Sequence, residues 1–376
     1  MPGWDRMTPD DIIEIEHIDA SDVAERYVKD RGRKILFLAI LALLVFACVL
    51  ISIRLGATDL TYGDILRAIF TPDGSWNTVV VVEWRLPVAI AAILVGAILG
   101  LAGAVMQGVL RNPMASPFTL GISNASAFGA AIGILFLNGG IITGSWNIIP
   151  QISNPGIVAL CAFAFALLAT FIIIILIKFT DSKPETIVLA GLAISSIFAA
   201  GLAFLQYVSD ETSMAAIVFW QFGSLEKASW DSIKILLIIL VMAFVIFFIR
   251  RWDLNAMETG DDVARGLGVN TERTRIFCLI LSSLITAVAV SFFGIIGFIG
   301  LIGPHIVKKI IGNDFRYVLI GSMLIGSLVL LISNVVATHG LVALIETTLP
   351  VGILTSAIGG PLFIAILISG SRRRSC

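Results

Sequence analysis

"ILFLAILALLVFACVLISI", residues 35–53, carries no charge over 19 positions. That is about the length an α-helix needs to cross a ~30 Å hydrocarbon core. Its flanks agree, with Arg31, Arg33 and Lys34 before it and Arg54 after it. Apolar runs of the same kind recur along the 376 residues, of which 58% are hydrophobic and 14% charged. Mean hydropathy is +1.00, whereas soluble domains carry charge on about a quarter of their residues. The chain therefore reads as an all-α polytopic membrane protein surrounded by lipid, with no nucleic-acid partner expected.

Setting the apolar runs against their polar and Gly/Pro breaks predicts ten helices: 35–55, 85–107, 119–137, 157–178, 186–208, 232–250, 274–297, 300–312, 317–338 and 350–369. The third and eighth are short for a full span. The glycines of "GFIGLIG" (297–303) blur the junction between the seventh and eighth. Residues 35–370 thus form the membrane domain, flanked by residues 1–34 and a basic end at 371–376. Residues 1–30 hold nine Asp/Glu against three Lys/Arg. Lacking a basic start and an apolar core, that stretch is no signal peptide. It is expected as a soluble tail containing His17, with a short helix over 20–30.

Basic residues set the orientation. If both termini are cytoplasmic, one side collects Arg31, Arg33, Lys34, Arg111, Lys178, Lys183, Arg250, Arg251, Arg265, Arg273, Arg275, Lys308, Lys309, Arg316 and Arg372 to Arg374. The other receives Arg54, Arg67, Arg85, Lys227 and Lys234. Seventeen against five places the "RNPMASP" turn (111–117) inside. Gly96, Gly100 and Gly103, Gly129 and Gly133, and Gly191 with Ser195 stand at the small-residue intervals that let helices approach closely in lipid. Packing within one subunit is the simpler reading of these, and lining a path the other. Segments 85–137 and 294–338 are loosely alike, each a Gly-rich helix, a polar inside turn and a further span, as in the repeated halves of transporters.

The longest inside loop, residues 250–275, is expected to hold a short helix over 258–267 at its centre. Asp261 and Asp262 suit the positive dipole of its first turn, and Gly266 and Gly268 stop it. Val263, Ala264 and Leu267 are expected on one flank, facing something that docks. No G-x-x-x-x-G-K-[ST] motif occurs, so this chain does not hydrolyse ATP and is not itself an enzyme. Acidic relay residues within the spans, usual in ion-driven carriers, are nearly absent. Glu83 and Arg85 stand at the mouth of the second span, Glu346 lies in the last outer loop, and His305 is a structural residue after Pro304. An external motor fits better than an ion gradient. Cys48, Cys161, Cys278 and Cys376 form no CxxC pair, which indicates neither a disulfide framework nor a metal site.

Residues 84–130, "WRLPVAIAAILVGAILGLAGAVMQGVLRNPMASPFTLGISNASAFGA", resemble the signature of the FecCD-type permeases, membrane subunits of ABC importers for iron-siderophores, haem and cobalamin. "LAGLAISSI" (189–197), "FWQFGSL" (219–225), "DDVARGLGV" (261–269), "GFIGLIGPHIVKKIIGNDFR" (297–316) and "LPVGILTSAIGGPLF" (349–363) follow in the family's order. The resemblance implies ten helices and a dimer of permeases, with a homodimer expected. It also implies two cytoplasmic ATP-binding subunits, which use the ATP and magnesium while this chain binds no cofactor, and an extracytoplasmic substrate-binding protein.

The resemblance makes Asn112, Pro113 and Met114 a cytoplasmic gate, with Pro117 helping to stiffen the turn. Asp261, Asp262, Val263, Ala264, Arg265, Gly266, Leu267 and Gly268 become the coupling helix. Arg85 becomes a contact for the binding protein. Ser195, Ser196, Thr355 and Ser356 are expected on a smooth, weakly polar translocation pathway, although each hydroxyl has its own helix backbone as an alternative partner. Val88, Asn334, Thr338 and Thr348 stand where the family often has charged residues, which implies a binding-protein contact that depends less on charge. A ferric siderophore leads as cargo, followed by cobalamin and haem.

Overall fold

The computed structural model describes residues 20–56, 58, 60–137, 139, 141–142, 151–179, 184–340 and 348–372. Most of the acidic tail, together with Lys183, Glu346, Arg373, Arg374 and Cys376, lies outside the described residues. Each of the ten expected spans is a helix. The first, α1 (Ala20–Arg54), is continuous with the helix expected over 20–30. A short helix, α2 (Tyr62–Phe70), follows, begun by a capping box between Thr61 and Asp64.

Next come α3 (Trp76–Leu110) and α4 (Ile122–Phe136). Ile141–Ile142 pairs antiparallel with Gln151–Ile152 before α5 (Pro155–Phe179) and α6 (Pro184–Val208). A helix not expected from the sequence, α7 (Glu211–Gln221), is started by Asp210, whose carboxylate accepts from the amides of Thr212 and Ser213. Then follow α8 (Trp230–Ile249), α9 (Arg251–Thr259), α10 (Asp261–Gly266), α11 (Thr271–Phe293), α12 (Ile299–Ile311), α13 (Phe315–Gly340) and α14 (Val351–Arg372).

The bundle is built around α3. Its last 25 residues are apolar on every side and almost wholly buried, as a helix surrounded by other helices must be. It packs on α13, α11, α12 and α8. By contrast α1 lies at the periphery against α13 and exposes Leu36, Leu43 and Phe46. α4 packs between α5 and α6.

The small-residue intervals resolve as contacts within the chain. A β-carbon on Gly96, Gly100 or Gly103 would run into the backbone of Gly326, Ser322 or Gly300, respectively. Gly129 meets Cys161, and Gly191 meets Thr119 and Leu120. The two loosely similar segments do share a turn at one end of the bundle. Their order is reversed, however: a long helix leads into the short α4 in one, and the short α12 leads into the long α13 in the other.

α11 stops at Phe293 rather than at 297, because Gly294 has φ +75°. The chain is then unwound to Phe298, itself left-handed at φ +66°. This break threads between the 222–225 loop and the start of α14. The Ser224 amide donates to the Phe293 carbonyl at 2.9 Å, and a β-carbon on Gly223 or Gly352 would strike the Ile295 carbonyl. Unwound backbone at this depth survives only when buried in protein or lining a cavity.

Candidate functional site

One end of the bundle gathers Arg111, Arg265, Arg275, Lys308 and Arg316, and here the "RNPMASP" turn meets the 250–275 loop. α3 terminates at Arg111, whose backbone is left-handed (φ 46°) and whose amide donates to the Gly108 carbonyl. The Asn112 side-chain oxygen then accepts from the Met114 amide at 2.9 Å. The Ala115 amide returns to the Asn112 carbonyl at 3.0 Å. Ser116 and Thr119 exchange hydrogen bonds at 3.0 and 3.3 Å. Gly121, at φ +77°, launches α4 and lies against the backbone of Ser195. Pro117 is buried, while Pro113 and Met114 are exposed at the tip. The turn is therefore fixed from within by its own polar groups.

The 250–275 loop is a compact three-part cap. α9 docks on the turn between α12 and α13. The Asn255 side-chain oxygen accepts from the Phe315 amide at 2.8 Å, and Lys308 donates to both Glu258 oxygens at 2.9 and 3.1 Å. Gly260, at φ +128°, reverses the chain into α10, so the one helix expected over 258–267 is instead the end of α9 and the whole of α10.

The Asp261 carboxylate takes two hydrogen bonds of 2.8 Å from Arg275 Nη2 and lies 3.3 Å from Arg111 Nη2. Arg275 is 3% exposed, and its Nε donates to the carbonyl of Val109 at 3.0 Å. That carbonyl belongs to the last turn of α3, which lacks intrahelical donors. Partial burial pushes the Asp261 carboxyl up. The hydrogen bond and charge of Arg275, with the charges of Arg111 and Arg265, outweigh it and hold the group below its ordinary range.

The expected flank of α10 needs correcting. Val263 and Leu267 are exposed, at 53% and 68%, but Ala264 is fully buried and anchors the helix. Asp262, Arg265, Gly266 and Gly268 share the exposed surface. Asp261 faces inward, toward the turn. Sequence reading missed Arg275 as more than one of many inside cations. Its signal was present, since Asp261 and Arg275 flank a loop short enough to bring them together.

The four expected pathway hydroxyls differ in burial and in partners. Asn124 donates to the Ser195 hydroxyl at 2.7 Å, which ties α4 to α6 and occupies that side chain. Thr355 is buried and donates to the Gly352 carbonyl at 3.1 Å. Ser196 is exposed but donates to its own helix at Leu192. Ser356 is exposed beside Gly297, at the unwound break. Adjacent helical residues point about 100° apart, so paired serines split between faces.

Arg85 is also turned inward. Its Nη1 donates to the carbonyls of Ile53 and Arg54 at 2.9 and 3.0 Å, and its Nη2 to the carbonyl and hydroxyl of Thr58 at 2.9 and 2.8 Å. It closes the last turn of α1, and both terminal nitrogens of the guanidinium are engaged within the chain. Of the residues standing at often-charged family positions, Asn334 is buried and its carbonyl accepts from the Thr338 hydroxyl. Arg85→Met is expected to destabilise the detergent-solubilised protein by about 1.5–3 kcal/mol, the scale of hydrogen bonds to a charged group. An unchanged thermal melt would count against the capping role.

The sequence profile of the FecCD transport family matches residues 43–369. A protein of Methanocaldococcus jannaschii named as an ABC transporter permease is 40% identical over 352 residues, covering 94% of this chain and 99% of that one. The hemin transport system permease protein of Yersinia pestis is 32% identical over 345 residues, covering 90% of this chain and 97% of that one. A solved structure described as a metal-chelate type ABC transporter in an inward-facing conformation matches with a TM-score of 0.74 at 28% identity, covering 88% of this chain and 98% of that one. With a matching bundle and a match over most of its length, this chain belongs to the FecCD transport family and is a membrane permease rather than an enzyme.

Proposed function

We propose that this chain forms the conduit of an ATP-driven importer for a metal chelate. It works as a homodimer, with two ATP-binding subunits beneath the Arg-rich end and a substrate-binding protein at the opposite end. The Arg-rich end faces the cytoplasm, as the bias of basic residues supports, and both termini lie there. The carrying observation is α10. It exposes Val263 and Leu267 on a polar cap, in a chain with no phosphate-binding motif of its own, and it is bonded to the turn that ends α3. A surface of that kind suits a motor subunit, and the turn suits a gate made by Asn112, Pro113 and Met114.

A ferric siderophore is the leading cargo, with haem and cobalamin next. All are bulky chelates, and the similar proteins named for hemin and metal chelates support that class. Ser196 and Ser356 remain the pathway candidates, because they are the two hydroxyls exposed on the subunit surface. The opposing reading, an ion-coupled carrier, is disfavoured. Glu83, Glu185, Asp231 and Glu272 are the carboxylates of α3, α5, α6, α8 and α11, and all lie near helix ends.

The expected result is an ATP-hydrolysing subunit that co-purifies with the native protein. Leu267→Asp should release that subunit and reduce uptake at least about tenfold, a loss equivalent to ~1.4 kcal/mol of coupling. Uptake by the purified chain alone in liposomes, driven by an ion gradient, would refute the proposal. A panel of ferric siderophores, haemin and cobalamin tests the cargo.

A further inference from the structure

Asp261 belongs to α10 by sequence, yet its carboxylate is spent on the bundle and not on the exposed flank. Three groups converge on it or its partner. Arg275 binds both carboxylate oxygens and also the Val109 carbonyl, so one buried guanidinium joins the start of α10 to the end of α3. Arg111, the first residue of the turn, reaches the same carboxylate through one 3.3 Å contact. Gly260 stands beside it, with a β-carbon position 3.6 Å from the Arg111 guanidinium, an ordinary contact.

The two ion pairs differ in kind. The Arg275 pair is short and doubled, and its arginine is buried while Asp261 is partly exposed. The Arg111 pair is longer and single, and the arginine is 40% exposed. Exposed pairs are screened and weak, whereas buried ones are costly to open. A small displacement of α10 therefore breaks the Arg111 contact first and leaves Asp261 still joined to α3 through Arg275.

We infer that Asp261 is the positioning residue that couples movement of α10 to the Arg111–Pro117 turn, with Arg275 as its permanent partner and Arg111 as its releasable one. The inference rests on the proposed roles of α10 and the turn. In one state Asp261 pins the first residue of the turn, and in the other it frees that residue while α10 keeps its grip on α3. The motor's stroke then reaches the gate through a single carboxylate rather than through diffuse contact.

The test uses the full transporter in cells and the purified complex with its ATP-hydrolysing subunit. Ferric desferrioxamine, haemin and cobalamin serve as transport probes. Asp261→Asn keeps the shape and an acceptor oxygen for Arg275 but removes the charge. It is expected to keep the ATP-hydrolysing subunit bound and to lose at least about tenfold in uptake per ATP hydrolysed. Asp261→Glu is expected to recover much of that ratio. Arg111→Gln, which touches only the exposed pair, should lower the ratio several-fold without changing the thermal melt.

An unchanged ratio in Asp261→Asn overturns the inference. So does loss of the bound ATP-hydrolysing subunit from that variant alone, which would make Asp261 a docking residue. Should Asp261→Asn fail to fold, the Arg111→Gln ratio decides, and a native value rejects the inference. Failure of the native chain to carry any such subunit is a separate result, and it rejects the proposed function instead.

Discussion

Replacing Gly100 by leucine is expected to leave little folded protein. A β-carbon at Gly100 would overlap the Ser322 carbonyl of α13, and that same carbonyl lies 3.1 Å from where a β-carbon on Gly303 of α12 would stand. Three helices therefore meet at one backbone oxygen. The obstacle is backbone, so no side chain can swing aside to make room, and α13 would have to move as a unit. Inserting bulk into a well-packed core costs typically about 1–3 kcal/mol, and more where the backbone must shift. For leucine we expect about 3 kcal/mol or more, a large part of a marginal total stability. Gly100→Ala should fall between native and Gly100→Leu.

Gly32 supplies the control. It lies inside α1 with nothing near its added carbon, and Gly→Ala in a helix interior is favourable by about 0.5–1 kcal/mol. The two alanine variants should thus shift the thermal melt in opposite directions when read by size-exclusion chromatography after heating. Equal melts for Gly100→Ala and the native protein would show that the α3–α13 contact has more slack than its geometry indicates.

The second large effect concerns Arg275→Met. This change removes the buried cation that satisfies both Asp261 and the Val109 carbonyl, and leaves the carboxylate with the exposed Arg111 pair. Breaking one side of a buried ion pair costs about 3–5 kcal/mol, most of it from the partner left behind. Replacing Asp261 by Asn as well should return part of that loss, because the stranded charge is gone.

The pH dependence has a definite sign. The folded-state pKa of Asp261 is depressed, so its contribution is fully present above the unfolded value, about 3.9. That contribution fades as the pH falls below this value and through the depressed folded one. The stability gap between native protein and Arg275→Met should therefore be constant near neutrality and narrow below about pH 4. A gap that widened on acidification would mean that Arg275 stabilises the fold through something other than the charged carboxylate.

Much of the fold was legible in the sequence because lipid enforces a simple rule. With no water to satisfy the backbone, a span is either a helix or a strand of a closed barrel, and charge-free runs as long as 35–53 reveal the helix. Glycine spacing along α3 likewise announced close helix contact. Several elements escaped this reading, among them α2, α7, α9 and the unwound stretch after Phe293. Helices α2, α7 and α9 are short, and the break at 294–298 lies inside an apolar run. Hydropathy registers the surroundings of a residue and not the path of its backbone, so the glycines of 297–303 blurred a junction without placing the break.

The candidate site divides along the same line. By itself the sequence determined a helical membrane permease with a stiff polar turn after α3 and a capped helix in the long loop, because composition, breakers and caps act locally. Only the tertiary structure decided which way each side chain in those elements is spent. It turned Asp261 inward onto Arg275 and Arg111, put Arg85 on the carbonyls of α1, buried Ala264 and Thr355, and gave Ser195 to Asn124. The physical reason is that a hydrogen bond or ion pair is satisfied by whichever partner packing brings within about 3 Å. Packing joins residues more than a hundred positions apart, such as Val109 and Arg275, and no local pattern encodes that distance.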